Sequence, residues 1–173
     1  HTDFIMPHTS FTKGAAGMDL AIVTGNGHEK LTNIDGLKPY VNESDVIAFG
    51  NRYFNLDYVN TIKQSDVIYF DLPEIRKNGI ESIVKAYLNR LEAEKCDGFW
   101  IHLDVDALDD AIMPCVDSRQ IGGLTYNELK QTLTLLLHSP LSTGMNLRIL
   151  DPGLDPEGIY TAGFVKEFAS VFD

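Results

Sequence analysis

The strongest constraint on this chain is an alternation. Four short, nearly all-apolar runs, Asp45–Gly50, Val67–Phe70, Phe99–Leu103 and Asn146–Leu150, are separated by longer stretches with helical spacing. Apolar runs of this length, rich in β-branched and aromatic residues, read as strands covered on both faces. Such strands belong to parallel sheets whose crossovers are helices. The fold class that follows is α/β, a three-layer α/β/α arrangement around a mainly parallel sheet. The best helix is Ile80–Lys95, where Ile80, Ile83, Val84, Tyr87, Leu88 and Leu91 fall on one face. Thr125 and Glu128 form a Thr-x-x-Glu capping box opening a helix to about Leu137, with Leu129, Leu133, Leu136 and Leu137 as its buried stripe. Thr161–Phe172 reads as a terminal helix with Phe164, Val165 and Phe168 facing in. Residues 1–15 read as loop, Ala16–Val23 as a short helix ended by Gly25-Asn26-Gly27, Leu31–Tyr40 as loop or turn, and Asn55–Gln64 as weakly helical. Phe99 and Trp100 are expected in the core.

At 173 residues the chain is long enough for one domain with a real core. Lys plus Arg is 14 against 25 Asp plus Glu, a formal net charge of -11. A surface of that sign repels phosphate backbones and anionic lipid, so nucleic-acid and membrane partners are not expected. No apolar run approaches the roughly eighteen residues a membrane span needs. The balance suits a neutral or cationic small substrate, or carboxylates gathered around a metal. Cys96 and Cys115 stand far apart and form no metal-binding or disulfide pattern, so a reducing, cytoplasmic setting is the default. The chain begins with His1 rather than Met and shows no signal-peptide pattern. A longer protein, or removal of something, is the expectation.

The residues that point to chemistry are His102-Leu103-Asp104-Val105-Asp106-Ala107-Leu108-Asp109. Two carboxylates at the C-terminal end of a buried strand sit where α/β enzymes place ligands. If the chain turns as it leaves the sheet, Asp104 and Asp106 can face one hard divalent ion such as Mn²⁺ or Mg²⁺. Ordinary strand-end cap aspartates are the competing reading. His1-Thr2-Asp3 offers a second His/carboxylate pair at i and i+2. Alone it is no more than a terminal His; together with the first pair it makes an O/N donor set suited to Mn²⁺ more than Zn²⁺. Gly122-Gly123 reads as a tight turn feeding the capped helix rather than a phosphate cradle. Cys115 has no adjacent base, His138 sits to complement a helix dipole, and Asp117 and Arg119 either set specificity or pair with each other.

These motifs resemble the ureohydrolases, the family of arginase, agmatinase and formimidoylglutamase. His1-x-Asp3 matches the tail of the family's second metal motif, and Gly17-Met18-Asp19-Leu20 resembles the stretch that follows it. Leu103-Asp104-Val105-Asp106-Ala107-Leu108-Asp109, then Pro114 and Gly122-Gly123-Leu124-Thr125, is similar to the third motif. Asp151-Pro152-Gly153-Leu154-Asp155 resembles the turn after the last strand. The resemblance spans nearly the whole chain. It implies a binuclear manganese hydrolase of a guanidino or amidino C–N bond, in which a metal-activated water attacks the guanidinium carbon and releases urea or a related amide. Carried over residue by residue, Asp104 would bridge two ions, Asp3 would bind one ion and orient the nucleophile, and His1 and Asp106 would bind the other. Ser10, Thr12 and Ser118 fall near substrate-contacting positions.

The departures carry expectations of their own. The family's carboxylate two residues before His1, and an earlier His, have no counterpart here, so the chain looks like the C-terminal portion, residues 1–173, of a domain whose N-terminal strands are missing. A fragment of that kind is expected to be inactive. Its sheet would lack the strand leading into His1, leaving edges that invite association with another copy. Ile149 stands where arginases carry the glutamate that holds the guanidinium, and Ala16 where they carry a loop His; His8 is a nearby substitute or simply an exposed loop residue. A non-catalytic domain that keeps the fold for binding or assembly is the alternative to a working enzyme.

Overall fold

The computed structural model describes residues 1–52 and 55–172. The chain divides into two compact units, His1–Asp71 and Leu72–Asp173, each with its own core.

In the first unit, residues 1–14 are loop, as their mix of Pro, Gly, Ser and Thr predicts, and a 3-10 turn over Ala15–Met18 leads into α1 (Asp19–Val23). The loop is not loose. The Ile5 amide donates to the Gly17 carbonyl (3.3 Å) and the Ala21 amide to the Asp3 carbonyl (3.2 Å). Phe4, between those two anchors, is fully buried against Ala21, Ile62 and Val67, a burial worth about 1.5–3 kcal/mol. α1 ends where the Thr24 hydroxyl donates to the Leu20 carbonyl and Gly25 takes φ +90°, a conformation that costs glycine no Cβ clash. The stretch read as loop holds two short turns of helix, α2 (Glu29–Thr32) and a 3-10 turn at Ile34–Gly36. β1 (Ile47–Asn51) then pairs in parallel with β2 (Ile68–Asp71), in register Ile47 to Ile68 and Phe49 to Phe70. The crossover is α3 (Leu56–Lys63), capped by the Asn55 side chain, which accepts from the Asp57 and Tyr58 amides.

The second unit opens with α4 (Leu72–Asn78), a helix the sequence reading lacks. Pro73 and four charged or polar neighbours disguise it. Proline is harmless in a first helical turn, where its missing N–H has no partner to lose, and Leu72 and Ile75 hold the helix to the core. α5 (Ile80–Ala93) buries Ile80, Ile83, Val84, Tyr87 and Leu91, the stripe its spacing predicts. β3 (Phe99–Asp104) pairs in parallel with β4 (Ser142–Arg148) through α6 (Tyr126–Leu137), whose Thr125–Glu128 capping box is complete. α7 (Ile159–Ala169) is anchored by the buried Asp155, which accepts from the Ile159 and Thr161 amides. The core joins Leu103, Val105, Leu108 and Met113 from the β3 end to Leu129 and Leu133 of α6 and Phe164 of α7.

Three details depart from the sequence reading. β4 starts at Ser142, four residues before the apolar run, because backbone pairing with Phe99 recruits the polar Ser142-Thr143-Gly144 segment. Val165 is 54% exposed; the inward stripe of α7 runs through Phe164 and Phe168, and residue 165 lies about 100° around the helix from it. Trp100 is 61% exposed rather than in the core. β3 alternates, with Ile101 and Leu103 buried on one face and Trp100 and His102 exposed on the other. An apolar residue at an outward position leaves a run looking buried on both faces when it is not. The indole lies across Gly144 of β4, where a Cβ would run into the ring.

Candidate metal centre

β3 delivers Asp104 at its C-terminal end, and the chain turns at once into a 3-10 turn over Val105–Ala107. Asp104 is partly buried and Asp106 is buried, separated by the fully buried Val105. The turn is clamped from the far side. Asp109 accepts from the Gly122 amide (2.5 Å) and the Gly123 amide (3.1 Å) through Oδ2, and from the Ala111 amide through Oδ1. The Leu124 amide donates to the Ala107 carbonyl (2.8 Å), and the Asp109 amide to the Leu124 carbonyl (3.0 Å). A Cβ at Gly123 would meet the backbone of Leu108 and Asp109, so only glycine permits this approach. The Gly122-Gly123 turn therefore feeds the capped helix, as read from sequence, and also braces the segment that carries the two aspartates.

Asp104 Oδ1 is buried and has no hydrogen-bond partner among the described residues. A carboxylate oxygen in that condition is costly unless a cation or a donor meets it. The nearest nitrogen is His102 Nε2, 3.3 Å away and outside hydrogen-bond geometry. The chemistry of Asp104 thus fits a ligand of a hard divalent ion.

His1 and Asp3 lie in the first unit, on either side of the buried Thr2. Asp3 takes φ 45°, a left-handed conformation that Asp tolerates better than most residues and that recurs at functional sites. Ser10 is buried, and its hydroxyl oxygen accepts from the Lys13 amide (2.9 Å). Thr12 is exposed, and its hydroxyl oxygen accepts from the Gly14 amide (3.3 Å). His8 and Ala16 are exposed in the same stretch. Ser118 is exposed in the second unit. Each unit therefore supplies two of the four predicted ligands. Among the described residues, no three His, Cys, Asp or Glu side chains gather closely enough to hold a metal ion.

Ile149, just beyond β4, takes φ 75°, which is strained for a β-branched side chain. Arg119 pairs with Asp110 through two bonds of 2.6 and 3.0 Å, not with Asp117. Arg76 forms a two-bond pair with Glu128 and also donates to the Gly123 carbonyl (2.9 Å), tying α4 to the start of α6. The Arg76 guanidinium, and after it the Thr125 donors, hold the Glu128 carboxyl well down, at about 2. Cys115 is fully buried, and burial pushes its thiol up, against a nucleophilic role. His138 caps α6, with Nδ1 2.8 Å from the Thr134 carbonyl.

The sequence reading missed Asp109, His102 and Asn146. Period-two counting puts His102 and Asp104 on one strand face, a signal that was available. Asn146 enters only through the register of β4 with β3, which pairs it with His102.

Parallel strands joined by helices, with carboxylates at a strand's C-terminal end, define an α/β protein of the kind that builds its site outside the sheet. The chain belongs to the arginase family, whose sequence profile matches residues 1–171. It is 30% identical over 155 residues to the arginase of Bacillus subtilis, covering 90% of this chain and 52% of that protein. With the arginase of Brevibacillus brevis it shares 31% identity over 172 residues, 99% of this chain and 57% of the relative. The solved arginase of Bacillus caldovelox superposes with a TM-score of 0.89 at 28% identity, over 99% of this chain and 57% of that structure. The chain thus has the arginase α/β fold and spans about half the length of the relatives it matches. Among the described residues, no helix is long and apolar enough to cross a membrane.

Proposed function

We propose that this chain is the C-terminal part of a single ureohydrolase domain, and that the intact domain is a manganese-dependent hydrolase of a guanidino or amidino C–N bond. The observation that carries this reading is the buried, unpartnered Asp104 Oδ1 at the end of β3, in a chain whose family is arginase. Asp104 and Asp106 would hold manganese from the second unit, and His1 and Asp3 from the first. When bound, two such ions would supply a water of lowered pKa and an electrophilic field around the guanidinium carbon. Asp3 would keep that water oriented, as the one catalytic carboxylate. Ser10, Thr12 and Ser118 would bind the polar part of a small substrate. The clamp from Asp109 to Gly122 and Gly123 would keep the β3 end rigid, so little ordering cost remains when ligands engage.

The half-length chain is expected to be inactive and to associate with copies of itself, and a cytoplasmic setting suits its chemistry. The aliphatic Ile149 offers no carboxylate for a guanidinium, which favours an amidino or modified guanidino substrate over free arginine. The competing reading, a binding or assembly domain that has kept the fold, draws on the same Ile149 and on the exposed Ala16.

The deciding experiment is urea or ammonia release from a panel of guanidino and amidino compounds, by the full-length protein loaded with Mn²⁺. Turnover of at least one compound, lost in Asp3→Asn, is the expected result. Metal bound with no turnover across the panel would favour the non-catalytic reading.

A further inference from the structure

His102, Asn146 and Trp100 form an ordered array on the exposed face of the β3–β4 pair, and the direction of each bond follows from what the groups can donate. Trp100 Nε1 is a donor only, and it lies 2.7 Å from Asn146 Oδ1. That fixes the amide orientation: the oxygen faces the indole, and Nδ2 faces His102 Nδ1 at 2.9 Å. An amide nitrogen can only donate, so Nδ1 accepts. The imidazole is therefore neutral, with its proton on Nε2. That proton sits on the nitrogen 3.3 Å from Asp104 Oδ1, slightly longer than the usual donor–acceptor spacing. The indole is itself seated on Gly144, the only residue type there that leaves room for it.

We propose that His102 is the positioning residue of Asp104. Its Nε2–H fixes the rotamer of the carboxylate from which a divalent cation is held, and Asn146 and Trp100 hold the ring in the tautomer that can do so. This rests on the manganese reading above and adds to it a residue outside the predicted ligand set. The physical reason is general: a ligating carboxylate free to rotate loses entropy on binding, and one already held by a neighbouring donor does not.

The test uses the full-length protein and two readouts besides turnover. In the metal-free protein, ring-nitrogen NMR should show His102 protonated at Nε2 and bare at Nδ1. By calorimetric titration with Mn²⁺ alone, His102→Ala should weaken metal binding about 10- to 100-fold, with the melting temperature of the metal-free protein unchanged. His102→Gln, which returns an amide donor near the position of Nε2, should recover most of the loss. Asn146→Leu should weaken binding less than His102→Ala, since it frees the ring without removing the donor. Equal affinity in wild type and His102→Ala, or a proton on Nδ1, overturns the proposal and leaves the manganese reading standing. Wild type that binds no Mn²⁺ overturns the manganese reading and this inference with it. Equal losses in His102→Ala and His102→Gln would reduce His102 to a packing role and also overturn it.

Discussion

Two parallel strand pairs carry the candidate ligands, and they are held in different ways. Around β1–β2 the buried core is small, centred on Phe4, Ala21, Ile62 and Val67, and His1 and Asp3 ride on a loop pinned by a few backbone bonds. Around β3–β4 the core is larger, the helices are capped, and the segment bearing Asp104 and Asp106 is clamped by Asp109 and by the Ala107–Leu124 bond. The same strand-and-helix plan thus gives one ligand pair on a rigid strand end and another on a loop whose order depends on one aromatic ring. In free-energy terms the second pair is already organised, while the first has few contacts to offset the entropy of ordering its backbone.

The largest expected effect is at that ring. Phe4→Ala should destabilise its unit by about 3–5 kcal/mol, the usual cost of a buried aromatic. Amide exchange should rise across residues 1–71 and stay slow in β3 and α6. Equal acceleration everywhere would mean that the two cores are not separate. Leu133→Ala, in the core of the second unit, should cost about 2–5 kcal/mol and show the reverse exchange pattern.

Glu128 sharpens the contrast through pH. Its folded-state pKa of about 2 lies below its ordinary 4.5, so the stability it contributes is fully present above about 4.5 and is lost as pH falls toward 2. Allowing for screening at the half-exposed Arg76, that contribution is about 2 kcal/mol. Glu128→Gln should remove most of it at pH 7 and flatten the acid limb of a urea-denaturation series between pH 4.5 and 2. An unchanged acid limb would place the acid sensitivity elsewhere. The smaller cap effect, Thr125→Ala, should cost about 1 kcal/mol by chemical denaturation. Asp104→Asn should move in the opposite sense, stabilising the metal-free protein by about 1 kcal/mol because it removes charge from a buried, unpartnered oxygen, while abolishing Mn²⁺ binding. A loss of stability in the metal-free state would mean that the carboxylate has a structural partner after all.

Helix α5 and the Thr125–Glu128 capping box were legible because their signals are local: spacing of three and four, and a side chain meeting a backbone three residues on. The aspartates at the end of β3 were legible for the same reason, since strand, turn and carboxylates are contiguous. Helix α4 was hidden by Pro73, which local rules read as a breaker although its place in the first turn makes it harmless. Trp100 was misplaced because an apolar run does not say which face the rest of the molecule covers.

The sequence by itself determined the α/β class, the order of its main helices and strands, and the positions of Asp104, Asp106, His1 and Asp3, because each depends on residues a few places apart. Only the tertiary structure decided that Asn146 lies beside His102, that Asp109 holds the Gly122-Gly123 turn, and that Asp104 Oδ1 is buried without a donor. Those facts depend on the register between strands and on burial. Both are set by the packing of segments far apart in the chain, which no local pattern encodes.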